Sequence, residues 1–162
     1  MNKHKIYMNM VQEYSQFSKC QFTKVACFFV NEHGKIIASG VNGTIAGDEN
    51  CCDHHFETRE EHIKYTRDNE IHAEQNSILE LATTQPKFNT ITVYVNLSPC
   101  YECLKNILGL TRQLGSNKIR IEKIIYLEKY HRTSDDELLI MKQKANKFNC
   151  KLMSLEEAEN EF

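Results

Sequence analysis

Along the chain, apolar and polar positions alternate either with the period of an α-helix or with the period of a β-strand. The points where one period gives way to the other predict where helices and strands begin and end. Residues 6–18 carry apolar side chains at helical spacing, which predicts an amphipathic first helix. Residues 24–30 and 35–41 are rich in β-branched and aromatic side chains, and a turn-forming stretch, 31–34, separates them. This combination predicts a β-hairpin after the first helix.

Beyond a polar stretch over residues 51–68, the two periods alternate to the end of the chain. The predicted elements are a helix at 71–82, a strand at 90–97, a helix at 99–114, a strand at 119–127, a helix that starts with the capping sequence 134–137 and runs to 147, and a strand at 151–153. The order α-β-β-α-β-α-β-α-β predicts an α/β fold in which helices sandwich a five-stranded mixed sheet. Without a repeat, a low-complexity tract or a linker, residues 1–162 are expected to form a single domain.

Composition and charge exclude several classes of protein. The 162 residues are 41% hydrophobic and 26% charged, with a formal net charge of -2, and no apolar run approaches the roughly 20 residues of a membrane span. Neither a signal peptide nor a basic face for nucleic acid is apparent, which predicts a cytoplasmic protein that binds neither membrane nor nucleic acid. Seven cysteines in such a chain are better explained by metal binding than by disulfides.

Two short motifs carry the candidate chemistry. His72 is followed two residues later by Glu74, and Pro99 begins the run that holds Cys100 and Cys103. A zinc ion that activates water takes three such ligands and keeps one position open. Glu74 lies close to the predicted metal without being forced to bind it, as a residue that carries protons should.

Each motif alone has a simpler explanation. A lone His is more often structural, and a lone Cys-x-x-Cys occurs in redox pairs and in structural zinc sites. Together, at the starts of two predicted helices, the motifs resemble the H-x-E…P-C-x-x-C pattern of zinc-dependent base deaminases. That resemblance implies a zinc-activated hydroxide that adds to the base. Glu74 would accept the proton of the water, deliver it to the ring nitrogen beside the attacked carbon, and then pass a proton to the amino group, which leaves as ammonia.

The wider sequence resembles the deoxycytidylate (dCMP) deaminases, especially the phage and viral ones, from about residue 18 to about residue 137. The matching segments are Gly40-Val41-Asn42-Gly43-Thr44, Asn50-Cys51-Cys52-Asp53, Asn69-Glu70-Ile71-His72-Ala73-Glu74-Gln75-Asn76 and Leu97-Ser98-Pro99-Cys100. The resemblance implies a three-layer cytidine-deaminase-like fold, conversion of dCMP to dUMP for thymidylate synthesis, and action in the host cytoplasm if the source is viral. It also implies a homohexamer that dCTP with Mg²⁺ activates and dTTP inhibits.

The same resemblance assigns substrate contacts. It places Asn42 against the deoxyribose or the base, and Asn76, Lys24, Tyr130 and His131 at the phosphate end. Alternatives remain, because Asn-Gly is turn chemistry in its own right and Lys24 and His131 could be ordinary surface residues. The family's usual Tyr is replaced by Val41, the residue before Asn42, which removes a ring from this loop.

A second group of soft ligands lies upstream of His72. Phage members of the family carry a second, structural zinc, and Cys20, Cys51 and His62 match three of its ligands. The fourth is expected to be His55 or His54, provided that the chain bends before His62, since seven residues of straight helix span about 10.5 Å. The alternative is a polar loop with incidental His and Cys residues.

Two other functions remain open. One is a deaminase of a different cytosine nucleotide or nucleoside, or of a base in RNA. The other is a zinc-stabilised binding module that has kept the fold and lost turnover. Glu74 disfavours the silent module, and the lack of a basic face disfavours RNA.

Overall fold

The computed structural model describes residues 2–84, 88–111, 113–114 and 117–161. Its helices are α1 (Lys3–Tyr14), α2 (Arg59–Asn69), α3 (Ala73–Thr84), α4 (Tyr101–Gly109), α5 (Asp135–Asn146) and α6 (Leu155–Glu159). Its strands are β1 (Ala26–Asn31), β2 (Ile36–Val41), β3 (Gly43–Thr44), β4 (Glu70–Ile71), β5 (Phe88–Leu97), β6 (Gln113–Leu114), β7 (Asn117–Glu128) and β8 (Lys151–Ser154). In this part of the chain no helix is both long enough and apolar enough to cross a bilayer.

The five longer strands form one mixed sheet in the order β2-β1-β5-β7-β8. Strand β1 pairs antiparallel with β2 and β5, whereas β5 and β8 both run parallel to β7. The two-residue β6 pairs antiparallel with the first residues of β7, and β3 pairs with β4 in a separate two-stranded sheet. The sheet therefore turns from antiparallel to parallel at β5, the strand that leads into α4.

Helices cover both faces of this sheet and give the molecule three layers. Along β1, Cys27 and Phe29 face the cluster that contains residues of α3, α4 and α5. Phe28 and Val30 face a second cluster with residues of α1 and α6. Because both faces of the central strands are buried, their sequences are almost continuously apolar.

The predicted fold class is confirmed, and the differences concern short elements. Helix α2 lies inside the stretch taken as a polar segment, and α6 follows the final strand. Helix α4 ends at Gly109 rather than near Leu114, because residues 113–114 pair with β7 instead. The predicted cap of α5 is present, with Ser134 accepting a hydrogen bond from the backbone N–H of Glu137.

Strand β2 and helix α3 approach each other closely at Gly40. A Cβ atom on this residue would lie 2.6 Å from the Ala73 carbonyl oxygen and 2.7 Å from the Ser77 backbone nitrogen. Only glycine has no side-chain carbon to place there. This contact sets the position of the first turn of α3, where Glu74 lies.

Candidate metal centre and cavity

The starts of α3 and α4 bring the four motif residues together. His72 lies between β4 and α3, and Glu74 lies in the first turn of α3. Cys100 is the N-cap of α4, and its Sγ accepts a hydrogen bond from the backbone N–H of Cys103 at 3.4 Å. A thiolate at this position is favoured by the positive end of the helix dipole.

The three predicted zinc ligands are close enough to share one ion. His72 Nδ1 lies 3.3 Å from Cys103 Sγ and 3.6 Å from Cys100 Sγ. A tetrahedral zinc with bonds of about 2.0 to 2.3 Å places its ligands about 3.5 to 3.8 Å apart. Among the described histidines, cysteines and acids, no fourth ligand atom joins this group. The donor set therefore fits a zinc ion that keeps one position open.

Glu74 lies beside this group in a dry environment. Only 4% of the residue is exposed, and this burial raises the pKa of its carboxyl group to about 6. The nearby His72 acts in the opposite direction and lowers the pKa. A carboxyl group with this pKa can accept and donate a proton near neutral pH.

The two sulfurs differ in acidity. A hydrogen bond from Cys103, together with one from the His72 ring, lowers the pKa of Cys100 to about 4. The same hydrogen bond and burial raise the pKa of Cys103. Cys100 is therefore the more acidic sulfur of the pair, and thiolate is the form that coordinates metal.

A cavity of about 380 Å³ opens beside these residues. Its wall includes His72, Glu74 and Cys100 from the motif, and Asn42 and Tyr130 from the predicted substrate contacts. The volume lies within the usual range for sites that bind small molecules. A water molecule and a small ligand could therefore meet next to Glu74.

The other predicted substrate residues lie outside this cavity. Lys24 and His131 are exposed, and Asn76 Nδ2 donates to the Val41 carbonyl oxygen at 2.8 Å.

The amide of Asn42 is engaged within the protein. Its Oδ1 accepts hydrogen bonds from Ser18 Oγ at 2.7 Å and from the Val25 backbone at 2.9 Å, and its Nδ2 donates to the Thr23 carbonyl oxygen at 2.8 Å. This amide therefore fixes the loop before β1, while one side of the residue faces the cavity.

Three arginines that the sequence analysis did not single out line the same cavity, namely Arg59, Arg67 and Arg132. Arg59 and Arg67 belong to α2, together with His62, Ile63 and Thr66 of the cavity wall. These five positions follow the i, i+3, i+4, i+7, i+8 spacing of one helix face. That spacing is present in the sequence, but Ile63 is the only apolar residue of the five, so no apolar period marks this helix.

A second group of ligands also borders the cavity, through Cys20 and His62. Cys20, Cys51 and His62 are all buried, their ligand atoms lie within 4.8 Å of one another, and His62 Nε2 is 3.6 Å from Cys20 Sγ. His55 is exposed and not part of the group, and His54 Nε2 lies 3.0 Å from a carboxylate oxygen of Glu49 instead. Helix α2 begins only at Arg59, so both histidines lie in the loop before it.

Glu70 is a candidate fourth ligand that the sequence analysis missed. Its carboxyl group meets the thiols of Cys20 and Cys51, and burial raises its pKa. Its Oε1 atom is buried and has no hydrogen-bond partner among the described residues. An unpartnered carboxylate oxygen near two thiols is a donor that a metal ion would satisfy, although Glu70 is not among the three residues whose ligand atoms all lie within 4.8 Å of one another.

Comparison with known proteins places these motifs in a family. The sequence model of the cytidine and deoxycytidylate deaminase zinc-binding region matches residues 1–126. The deoxycytidylate deaminase of Enterobacteria phage T4 is 33% identical over 150 residues, which cover 72% of this chain and 72% of that protein. ComE operon protein 2 of Bacillus subtilis is 32% identical over 113 residues, covering 70% of this chain and 52% of that protein.

Solved structures share the fold. The dCMP deaminase of the cyanophage S-TIM5, in complex with dCMP and dUMP, superposes with a TM-score of 0.66 over 93% of this chain and 94% of its own. The sequences are 24% identical. This likeness supports the three-layer architecture described above.

Proposed function

The chain belongs to the cytidine and deoxycytidylate deaminase zinc-binding family, and we propose that it hydrolyses dCMP to dUMP and ammonia. The observation that carries this proposal is the convergence of His72, Cys100 and Cys103 beside the buried Glu74, at the wall of a cavity. Zinc held by the first three residues would lower the pKa of a bound water molecule toward about 7.

Glu74 performs the proton transfers in this proposal. Its carboxylate accepts a proton from the water, whose oxygen adds to the cytosine carbon that bears the amino group. Glu74 delivers that proton to the adjacent ring nitrogen. It then takes the remaining proton from the added hydroxyl group, whose oxygen becomes the new carbonyl, and passes it to the amino group, which leaves as ammonia. One carboxylate can act first as base and then as acid because burial raises its pKa to about 6.

The choice of a nucleoside monophosphate is supported by the charges of the cavity and by the relatives. Arg59, Arg67 and Arg132 line its wall, and guanidinium groups bind phosphate oxygens in a bidentate manner. The phage T4 relative is itself a deoxycytidylate deaminase. A free nucleoside would leave Arg59 and Arg132 without an anionic partner among the described residues, whereas Arg67 pairs with Asp68.

An absorbance assay separates this function from its alternatives. Zinc-loaded protein is expected to bleach the cytosine absorbance of dCMP much faster than that of cytidine, CMP or dCTP. If the protein turns over another compound of this set faster, that compound and not dCMP is its substrate. Stable zinc binding without turnover of any of them would favour the silent binding module.

The second ligand group is proposed to hold a structural zinc. Cys20, Cys51 and His62 supply three ligands. Glu70, whose carboxyl group lies near both thiols and whose Oε1 has no partner among the described residues, is proposed as the fourth in place of His55. The site would tie the loop before β1, the loop before α2 and the helix itself together.

Regulation and assembly are proposed from the family resemblance alone. They comprise a homohexamer, activation by dCTP with Mg²⁺ and inhibition by dTTP. The mass in solution and the rate response to each nucleotide test these proposals. A single domain over residues 1–162 and a cytoplasmic location also remain predictions.

A further inference from the structure

Two contacts hold the guanidinium group of Arg59 at the cavity wall. Its Cζ atom lies 4.7 Å from the centroid of the Phe22 ring, and its Nη1 atom lies 3.1 Å from His62 Nδ1. The Phe22 ring in turn meets the His62 ring edge-on, with centroids 4.3 Å apart. Phe22 therefore contacts both the cavity arginine and His62 of the second ligand group.

The contact of Arg59 with His62 depends on which nitrogen of the His62 ring carries the hydrogen, whereas the contact with Phe22 does not. Nδ1 of His62 accepts a hydrogen bond only when the ring carries its hydrogen on Nε2. A His62 ring that coordinates a cation through Nε2 carries the hydrogen on Nδ1 and cannot accept from Arg59. The aromatic face of Phe22 attracts the guanidinium group in either case.

Arg59 and Arg132 form the unpaired positive part of this wall. Arg67 Nε lies 3.0 Å from Asp68 Oδ1, whereas in the described part of the chain no carboxylate lies within ion-pair distance of Arg59 or Arg132. Arg59 and Arg132 line the same cavity as His62. Two unpaired guanidinium groups at one concave wall form a site for an anion.

Packing in the hydrophobic core does not account for the position of the Phe22 side chain. The residue is 55% exposed and lies outside both core clusters of the described residues. A ring that stacks on a guanidinium group restricts its plane but leaves its N–H edge free for an oxyanion. Such a restriction lowers the entropy lost when the anion binds.

We propose that Phe22 is a positioning residue, which holds Arg59 in place for the phosphate of the substrate and so sets the preference for a nucleotide over its nucleoside. This inference rests on the proposed deamination of dCMP. Arg59 contacts the phosphate in this arrangement, and Phe22 acts only through Arg59.

Kinetics of zinc-loaded variants test the proposal with dCMP and deoxycytidine as paired substrates. Arg59→Gln is expected to raise KM for dCMP about 10- to 100-fold, because a charge-assisted hydrogen bond is lost. Phe22→Leu keeps apolar bulk but loses the aromatic face, and it is expected to raise this KM about 2- to 5-fold. Both changes act mainly on KM rather than kcat, and both lower the ratio of kcat/KM for dCMP to that for deoxycytidine.

The double variant and two controls make this test specific. Phe22→Leu with Arg59→Gln is expected to be no worse than Arg59→Gln alone, since both changes remove one interaction. Phe17→Leu and Arg120→Gln change an exposed aromatic and an exposed arginine outside the cavity, and they should leave the substrate ratio unchanged. Equal losses on both substrates in Phe22→Leu, or multiplicative effects in the double variant, would overturn the proposal.

Equilibrium binding separates this inference from the proposed reaction. Calorimetric titration with dUMP and with deoxyuridine is expected to show a preference for dUMP that both Phe22→Leu and Arg59→Gln reduce. Absence of turnover on every cytosine compound would refute the proposed deamination. The ratio of the affinities for dUMP and deoxyuridine would still test the proposed role of Phe22. A dUMP preference that neither variant changes would overturn it.

Discussion

At the scale of single residues, Glu74 lies in an environment that opposes its own charge. Burial raises its pKa from 4.5 to about 6, so the folded protein binds this proton more tightly than the unfolded chain does. The stability linked to this proton is fully present below about pH 4.5, and it is lost as the pH rises through about 6. The ionised carboxylate therefore destabilises the metal-free protein at neutral pH by about 2 kcal/mol.

Replacement of Glu74 by Gln is expected to abolish turnover and to stabilise the metal-free fold. The amide keeps the shape but cannot transfer the proton, so kcat should fall at least about 10²- to 10⁴-fold. Loss of the buried charge should raise the free energy of unfolding at pH 7.5 by about 2 kcal/mol, measured by urea denaturation of chelator-treated protein.

Glu122→Gln is the matched control, because Glu122 is exposed on β7 and far along the chain from both ligand groups. It should change neither kcat nor the unfolding free energy. Retained turnover in Glu74→Gln would remove this residue from the proposed mechanism.

The residues that sequence predicted best are those whose spacing is fixed by local chemistry. His72, Glu74, Cys100 and Cys103 sit at two helix starts, and short motifs encode such positions. Glu70 was missed because a lone carboxylate carries no local pattern. Only the fold brings it to cysteines that lie about 20 and 50 residues upstream.

At the scale of elements, β2 packs closely on α3 because Gly40 has no side chain. The atoms that a Cβ on Gly40 would meet belong to the Ala73 and Ser77 backbone, which cannot rotate away as a side chain could. Helix α3 would have to shift, and the shift would carry Glu74 with it. The geometry of the ligand group therefore rests on this contact.

Gly40→Ala is expected to cost about 1 to 3 kcal/mol of stability through overpacking, which corresponds to a fall in Tm of about 2 to 12 °C. Activity should fall more than stability alone explains, because a misplacement of about 1 Å can cost about 10²-fold. Differential scanning calorimetry and kcat/KM under folded conditions measure the two effects.

Gly43→Ala is the control, since nothing lies within 4 Å of a Cβ built there. It should be nearly neutral in Tm. A Gly40→Ala protein with wild-type Tm and kcat/KM would show that α3 accommodates the methyl group without moving.

Helix α2 shows why an element can escape the sequence pattern. Its sequence, Arg-Glu-Glu-His-Ile-Lys-Tyr-Thr-Arg-Asp-Asn, is strongly polar, and His62 is its one buried residue. Periodicity finds helices through an apolar face, whereas this helix faces a cavity. The helix begins at a cap that the sequence analysis did not single out: Thr58 accepts a hydrogen bond from the backbone N–H of Glu61.

At the scale of the whole molecule, order of elements and choice of fold were accessible from sequence. Long alternating runs predict a parallel segment with crossover helices, and β5, β7 and β8 follow that rule. The two-residue strands β3, β4 and β6 were not accessible. Pairs this short depend on the surrounding fold rather than on their own residues.

Metal content is the global property that the two ligand groups predict. Purified protein is expected to contain about two zinc ions per chain by elemental analysis, and Cys51→Ser should lower the ratio to near one. If free zinc is about 1,000 times its Kd, loss of the second site costs about 4 kcal/mol. The corresponding fall in Tm is about 8 to 16 °C.

Cys52→Ser is a stringent control because it alters the adjacent thiol, which is exposed and outside the group. It should keep two zinc ions and the wild-type Tm. A wild-type ratio near one, unchanged in Cys51→Ser, would argue for a loop with incidental thiols and imidazoles.

Helix α2 also separates recognition from chemistry within a compact protein. The helix supplies arginines and a histidine, whereas the reactive group comes from the starts of α3 and α4. Exchange of residues 58–69 between relatives could therefore retune which ligand is admitted while the hydrolytic machinery stays intact. Substitutions in this segment would change ligand selectivity with the least effect on the catalytic residues.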